Sequence, residues 1–308
     1  MSGHLDAAEL VRKDRASEGG LAERRKGFRA LVEARQGVLL PGAANALTAR
    51  VIENLGFQAV YLTGAGLTNT HLGMPDLGLI APTEIAETAS RISDVCALPL
   101  VIDIDTGFGN ALNTYRTVQM MERAGAAALQ LEDQIFPKKC GHFSGKGVVP
   151  MEDMTGKLKA CLDARTDPNL MIIARTDARA VLGIEAALER AHIMAETGAD
   201  IIFVEAPRSV EEIRKIGALP KPQLMNIVMG GLTPMLSLEE LREAGFSLVL
   251  YANAALQASV LAMNNVLGHL QSHGSLHGIE DQLASFEERQ RVVRKDYFDA
   301  LDARYKQD

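Results

Sequence analysis

The sequence contains no tryptophan, and aromatic residues fill only 5 % of its 308 positions. This composition argues against base-stacking platforms and aromatic sugar-binding clefts, because both need exposed rings. Positive charge is also scarce, since 32 Lys and Arg against 39 Asp and Glu give a net charge of −7. A nucleic-acid binder needs a basic face to neutralise phosphates, so that class is disfavoured. A small anionic substrate at a locally cationic site is still compatible with an acidic protein.

Long apolar runs and abundant cysteine are missing as well. No stretch of about 18 apolar residues occurs, so no membrane span is predicted, and the N-terminal residues lack a secretory-signal pattern. The cysteines Cys96, Cys140 and Cys161 are odd in number and widely spaced, which does not suit a disulfide framework. Cys96 and Cys161 lie in helical patterns and are expected to be buried and inert. A reducing cytoplasm is the expected location.

Eight short apolar runs recur along the chain, and each is followed by a polar or glycine-bearing stretch and then a helical pattern. They span residues 37–43, 59–66, 98–107, 126–134, 170–178, 200–207, 223–231 and 246–253. Apolar runs without alternation predict parallel strands covered on both faces. Three of the helical patterns end at a glycine just before the next run, namely Gly125, Gly198 and Gly245. Eight such units predict an α/β fold of the (β/α)8 TIM-barrel class rather than an open doubly wound sheet.

No linker or shift in composition divides the chain, so a single domain over residues 1–308 is predicted. It comprises an N-terminal helical segment (1–36), the barrel core (37–253) and a C-terminal helical extension (254–308). The extension has more helix than one barrel needs to cover its last strand. Packing on a partner subunit in a homo-oligomer is therefore expected.

Carboxylates accumulate at the predicted carboxyl ends of the strands, where active sites of this fold lie. Asp103 and Asp105 are two apart on one strand, so both side chains are expected on the same face, and Glu132 ends the next strand. Adjacent carboxylates repel one another unless a cation sits between them. Hard oxygen donors without a Cys or His cluster suit Mg²⁺ or Mn²⁺. Solvated acids or helix N-caps are the alternative interpretation.

Other polar groups predict a binding site for an anionic substrate. The YLTGAG stretch fails as a dinucleotide loop, because its third glycine and following acid are out of register. Its backbone N–H groups and the Thr63 hydroxyl suit a carboxylate, with Tyr61 close by, although a plain tight turn is the alternative. Arg175, just past a strand, offers a bidentate clamp. Two more polar residues end the following strands: Glu205 and Asn226. Together these groups predict a polycarboxylate site.

The stretch KKCGHFSGKG, residues 138–147, raises three alternatives. A phosphate loop is excluded because only three residues separate Gly141 from Gly145, where four are needed. A closed zinc site is disfavoured because no second Cys–His pair occurs. A glycine-flexible loop that presents Cys140 over the substrate is the third. Three neighbours favour the thiolate or proton exchange by the thiol: Lys138, Lys139 and His142.

Several motifs together resemble those of the isocitrate lyase and phosphoenolpyruvate mutase superfamily. They are KKCGH after a strand ending in LEDQ, DIDTGFG, YLTGAG, GMPDLG and ARTDA. The resemblance covers about residues 37–255. Chain length and motif spacing are similar to the short lyases, namely methylisocitrate lyase, 2,3-dimethylmalate lyase and the petal death protein group. Met229 departs from that pattern, because these lyases usually carry an acid at its position.

The resemblance implies a (β/α)8 barrel whose terminal helix is exchanged between subunits in a dimer or tetramer. It implies Mg²⁺, with Mn²⁺ as a substitute, held directly by Asp103 and largely through water by Asp105, Glu132 and Asp76. The implied contacts of the keto-acid carboxylate are Tyr61, Thr63, Gly64, Ala65 and Arg175. The implied lining of the remaining pocket is Gly141, His142, Glu205 and Asn226.

The implied activity is Mg²⁺-dependent cleavage of a 2-hydroxy di- or tricarboxylate of the 2-methylisocitrate or 2,3-dimethylmalate type. The products would be an α-keto acid (pyruvate or glyoxylate) and a carboxylic acid, formed by retro-Claisen chemistry. Tyr61 as phenolate is the candidate base and Cys140 the proton donor. An oxaloacetate hydrolase or decarboxylase, or a phosphonate mutase of the carboxyvinyl-carboxyphosphonate type, is the alternative within the superfamily. A catalytically silent barrel that binds or assembles is the alternative outside enzymes.

Overall fold

The computed structural model describes residues 20–139, 141 and 145–306, and its frame is a closed barrel of eight parallel strands paired in sequential order. The strands are β1 (Val38–Ala43), β2 (Val60–Leu62), β3 (Leu100–Asp103), β4 (Ala126–Glu132), β5 (Met171–Thr176), β6 (Ile201–Val204), β7 (Gln223–Asn226) and β8 (Phe246–Tyr251). Each predicted apolar run supplies one strand. The (β/α)8 prediction is therefore confirmed.

Helices connect the strands and extend beyond the last one. They are α1 (Leu21–Glu33), α2 (Ala46–Asn54), α3 (Gly64–Leu67), α4 (Pro82–Val95), α5 (Ala111–Arg123), α6 (Met151–Ala164), α7 (Ala178–Leu182), α8 (Ile184–Thr197), α9 (Val210–Gly217), α10 (Leu238–Glu243), α11 (Ala254–His273), α12 (Phe286–Val292) and α13 (Lys295–Tyr305). Local sequence sets several of their ends. Asn110 and Ser237 cap the first turns of α5 and α10 with their side chains, and Gly198 ends α8 with φ 121°.

The strands are buried on both faces, as their continuous apolar sequence predicts. One cluster fills the barrel interior and includes Leu40, Val101 and Phe203. The other lies between the sheet and the helices and includes Ile102 and Leu129. Alternate residues of a strand pack in the two clusters, because successive side chains point to opposite faces of the sheet.

Helix α1 closes one end of the barrel. Phe28 and Val32 are fully buried in the interior cluster. Arg25 of α1 donates from Nε to the carbonyl oxygen of Ala126, the first residue of β4, at 2.8 Å. The helix therefore covers the amino ends of the strands, and the opposite end carries the polar residues.

The two cysteine thiols in the described residues lie away from the carboxyl ends of the strands, where the polar residues are. Cys96 follows α4 and Cys161 lies in α6, and both are buried. Burial raises the pKa of Cys96 to about 11 and that of Cys161 to about 12. The expectation that these thiols are buried is confirmed, and the raised pKa values agree with low reactivity.

The C-terminal extension leaves many apolar side chains uncovered. Helix α11 has no buried residue, and Leu261 and Leu267 are 63 % and 58 % exposed. Across residues 20–139, 141 and 145–306, no helix combines the length and apolar character that a bilayer crossing requires. The cytoplasmic location stays a prediction.

Candidate active site

A cavity of about 60 Å³ lies among residues at the carboxyl ends of the strands. Its lining is Tyr61, Thr63, Ala65, Asp76, Asp103, Glu132, Lys138, Lys139, Gly141, Arg175, Glu205, Asn226, Val228, Leu250, Ala252 and Asn253. Most of the predicted site residues are in this set, and two more, Gly64 and Asp105, lie directly beside Asp103. The predicted Cys140 and His142 lie outside the described residues. The polar groups from distant motifs thus meet in one place.

The two aspartates of DIDTG lie close together, but not by strand alternation. Strand β3 ends at Asp103, and Asp105 lies beyond it with a φ of 47°. The backbone N–H of Asp105 donates to Asp103 Oδ1 at 3.1 Å. The expectation of two carboxylates on one face of a strand is wrong in its geometry, because the chain turns after Asp103. Their proximity is confirmed.

Lys138 lies buried within this acidic cluster. Its ammonium group donates to Asp76 Oδ1 and is 2.8 Å from Asp105 Oδ1. Burial raises the pKa of Asp105 to about 7, although Lys138 opposes that effect. Burial disfavours the ammonium form of Lys138, but the carboxylates around it outweigh burial and raise its pKa. The carboxylates around Lys138 therefore favour its charged form.

The acidic cluster suits a hard divalent cation. Asp105 Oδ2 and Glu132 Oε1 are buried and have no hydrogen-bond partner among the described residues. Burial also raises the pKa of Glu132, with Arg175 opposing. Carboxylate oxygens are the donors that Mg²⁺ prefers. In the described part of the chain no three ligating side chains converge on one point. Water would therefore complete much of the coordination shell, as is usual for Mg²⁺.

Arg175 lies beside the acids, because it pairs with Glu132 across β4 and β5, and it is inside strand β5 rather than just past it. Its Nε and Nη2 donate to Asp177 at 2.9 and 3.1 Å. Nη1 is 3.4 Å from Glu132 Oε2, and Nη2 is 3.7 Å from Glu205 Oε2. The guanidinium carbon stacks 5.1 Å from the centre of the Phe203 ring. These contacts fix the orientation of the guanidinium, and its role as an anion clamp stays a prediction.

The loop after β4 packs directly against this clamp. Lys146 donates to the Gly141 carbonyl oxygen and, at 2.6 Å, to Asp177 Oδ1. A Cβ atom on Gly141 would lie 2.5 Å from Arg175 Nη2 and 2.8 Å from Glu205 Cδ. Only glycine fits this contact without displacing its neighbours. Neither Lys146 nor Asp177 was predicted, although Asp177 stands two residues after Arg175 in ARTDA.

Tyr61 donates its hydroxyl to Gln130 Oε1 at 3.0 Å, and Gln130 Nε2 lies 3.4 Å from Asp103 Oδ1. Burial, and next the Asp103 carboxylate, raise the pKa of Tyr61 well above that of an ordinary phenol. These surroundings favour the neutral phenol, so the phenolate role stays a prediction without support from them. Gln130 was missed, although its spacing from Glu132 places both on one face of β4.

The YLTGAG segment continues from β2 into helix α3 and then into one π-helical turn, Thr68–Leu72. Thr63 Oγ1 caps α3 by accepting from the Gly66 N–H at 3.1 Å. It also lies 3.2 Å from Asn253 Oδ1. The segment is therefore neither a plain tight turn nor an open loop. Thr63 and Ala65 line the cavity from a helical start.

A family model described as phosphoenolpyruvate phosphomutase matches residues 28–271. The chain belongs to the phosphoenolpyruvate phosphomutase family. Among its relatives, a 2,3-dimethylmalate lyase from Eubacterium barkeri is 45 % identical over 262 residues, covering 85 % of this chain and 91 % of the relative. A 2-methylisocitrate lyase from Aeropyrum pernix is 46 % identical over 257 residues, covering 83 % and 82 %. The resemblance inferred from the motifs is confirmed.

Solved structures agree with this membership of the phosphoenolpyruvate phosphomutase family. A 2,3-dimethylmalate lyase has a TM-score of 0.86 and 31 % identity, covering 92 % of this chain and 95 % of its own. An oxaloacetate acetylhydrolase bound to 3,3-difluorooxalacetate has a TM-score of 0.85 and 33 % identity, covering 92 % and 97 %. A phosphonopyruvate hydrolase bound to oxalate and Mg²⁺ has a TM-score of 0.83 and 28 % identity, covering 92 % and 99 %.

Proposed function

We propose that the chain is a Mg²⁺-dependent carbon–carbon lyase that cleaves a 2-hydroxy di- or tricarboxylate into an α-keto acid and a carboxylic acid. The observation that carries this proposal is one cavity with a carboxylate cluster on one wall and the Arg175 clamp on another. The names of the two relatives at 45 % and 46 % identity support a lyase of this branch.

Arg175 is the proposed binding group for a substrate carboxylate. Asp177 holds the guanidinium by two hydrogen bonds, so binding does not require the side chain to be ordered anew. Asn226 donates weakly to Glu205 at 3.4 Å, and its Oδ1 is buried without a partner among the described residues. We assign Asn226 and Glu205 to the polar end of the substrate beyond the clamp.

Asp103 is the proposed direct ligand of Mg²⁺, and Asp105, Glu132 and Asp76 are proposed to act largely through water. When bound, Mg²⁺ would polarise the hydroxyl and carboxylate oxygens of the substrate. Mn²⁺ is the expected substitute, because it accepts the same oxygen donors.

In the proposed reaction the substrate hydroxyl loses its proton, and the O–H electron pair becomes the new carbonyl of the α-keto acid. The pair of the broken C–C bond remains on the carboxylic acid fragment, which leaves as an enolate-like dianion. Tyr61 is proposed to take the hydroxyl proton as a phenolate, the form that burial and Asp103 disfavour while no divalent cation is bound. Cys140 is proposed to protonate the carbon of the dianion.

The test is release of α-keto acid, coupled to lactate dehydrogenase and NADH, from a panel of 2-hydroxy acids that includes 2,3-dimethylmalate and 2-methylisocitrate. We expect turnover of at least one of these acids, loss of it with EDTA and recovery with excess Mg²⁺. Full activity in the presence of chelator would contradict the metal assignment. No turnover of any panel member would favour the catalytically silent barrel.

Oxaloacetate hydrolysis is the second candidate, because the oxaloacetate acetylhydrolase covers 92 % of the chain at a TM-score of 0.85. Oxaloacetate belongs in the same panel, with oxalate measured as its product. Phosphonopyruvate completes the panel as the phosphonate alternative. Oxalate formation without cleavage of any 2-hydroxy acid would replace the lyase assignment.

We also propose that the chain forms a homodimer or homotetramer in which a second copy covers α11. The exposed apolar side chains of α11 include Val260, Leu261 and Met263, which are 47 %, 63 % and 52 % exposed. Clustered exposed apolar side chains mark protein–protein interfaces. Light scattering after gel filtration is expected to give a multiple of 33.2 kDa. Leu261→Glu should shift the mass toward the monomer, and a monomeric parent protein would contradict the proposal.

A further inference from the structure

The acidic wall of the cavity already contains a cation from the chain itself. Lys138 is 4 % exposed, donates to Asp76 and lies 2.8 Å from Asp105 Oδ1. These two carboxylates are 29 residues apart in sequence, and Lys138 follows the second by 33 residues. The ammonium group therefore cross-links three separate segments at the proposed metal cluster.

The other cations of the cavity have different partners. Arg175 is held by Asp177 and Glu132. Lys146 pairs with Asp177, and Lys139 donates to the Gly145 carbonyl oxygen at 3.1 Å. Among the described residues, Lys138 alone forms ion pairs with Asp76 and Asp105.

We propose that Lys138 is a resident cation that neutralises Asp76 and Asp105 while no divalent ion is bound, and that it competes with a divalent ion for them. The inference rests on the proposed Mg²⁺ site and concerns how strongly the chain lets that ion bind. Two cations in one buried cluster repel each other, and both draw on the same carboxylates. The affinity for Mg²⁺ is therefore held below the value that the carboxylates alone would give.

Removal of the Lys138 charge has two linked consequences. The metal-free protein loses the cation that offsets repulsion between buried carboxylates, so it becomes less stable. The divalent ion is no longer repelled by the Lys138 ammonium group, so it binds more tightly. Because a ligand of the folded state stabilises that state according to its affinity, Mg²⁺ should raise the melting temperature more in the variant than in the parent.

The experiment titrates MgCl₂ into chelator-stripped full-length protein by isothermal calorimetry. We expect Lys138→Met to bind Mg²⁺ at least about tenfold more tightly than the parent, since a like charge near the ion is gone. Lys139→Met is the matched control: it removes the same charge from the adjacent position and should change affinity less than about twofold. Lys138→Arg keeps the charge and should bind Mg²⁺ much as the parent does.

Melting temperatures with and without Mg²⁺ give a readout independent of activity, and Lys138→Gln replaces the methionine variant if that variant does not fold. Unchanged or weaker Mg²⁺ binding in the uncharged variants would overturn the inference while leaving the proposed function intact. An equal gain in Lys139→Met would overturn it too, because overall charge would then explain the effect. If the parent itself binds no Mg²⁺, the proposed function and the inference fall together.

Discussion

Replacing Gly141 by alanine adds one methyl group where the loop after β4 meets the Arg175 clamp. The new Cβ would lie 2.5 Å from Arg175 Nη2 and 2.8 Å from both Cγ and Cδ of Glu205. Unbonded heavy atoms prefer a separation of about 3.5–4.0 Å. The side chains of Arg175 and Glu205 must therefore move away by about 1 Å.

The Arg175 guanidinium cannot move freely. Asp177 holds the guanidinium at 2.9 and 3.1 Å, and the Phe203 ring lies beneath it at 5.1 Å. A displacement of about 1 Å in a positioning group costs about 100-fold in rate. We therefore expect kcat/KM to fall about 100-fold, equivalent to about 2.7 kcal/mol of transition-state stabilisation. Overpacking should also lower stability by about 1–3 kcal/mol.

The assay is α-keto acid release from whichever 2-hydroxy acid the panel identifies, with urea unfolding measured on the same samples. Gly156→Ala in helix α6 is the matched control, because a Cβ there would meet nothing within 4 Å. It should leave kcat/KM unchanged and raise stability by up to about 1 kcal/mol through helix propensity. A Gly141→Ala enzyme within about threefold of the parent kcat/KM would refute the assignment of this contact to substrate binding.

Three further variants test separate parts of the molecule. Cys140→Ser should keep the melting temperature and Mg²⁺ binding but lose cleavage by about 100-fold or more, because the hydroxyl is a far weaker acid than the thiol; near-normal turnover would remove the proton-donor role. Asp103→Ala should abolish Mg²⁺-dependent activity and calorimetric Mg²⁺ binding, and tight binding in the variant would exclude Asp103 as a ligand. Arg190→Met removes the cation 2.8 Å from the fully buried Asp133, so urea unfolding should show a loss of about 3 kcal/mol, and an unchanged midpoint would show that the ion pair contributes little.

The barrel could be predicted from sequence because each of its signals is local. An apolar run, a polar end and a helical pattern repeat eight times, and closed pairing of parallel strands follows from that order. The acids were also predictable as a group, since Asp103 and Glu132 end neighbouring strands. The turn at Asp105 was not, because a φ of 47° in a residue other than glycine leaves no signature in the string of residues.

The pairing of charges within the site was harder to predict for a physical reason. Lys138 and Asp76 are 62 residues apart, and Lys146 and Asp177 are 31 apart. Which partner a lysine reaches depends on the path of its loop and on its rotamer, and both are set by tertiary packing. Three described residues of KKCGHFSGKG, Lys138, Lys139 and Gly141, line the cavity, whereas the sequence alone suggested that Lys138 and Lys139 act on the thiol.

The lysines of that motif connect the two walls of the cavity. Lys138 anchors the start of the loop to the acidic cluster through Asp76 and Asp105. Lys146 anchors its end to the clamp through Asp177, the residue that orients Arg175. Both ion pairs tie the loop to carboxylates of the site, and we expect a change of charge at either carboxylate group to affect it. A divalent cation that displaces Lys138 and a substrate carboxylate that engages Arg175 would therefore act on the same segment, the one that carries Cys140 in sequence.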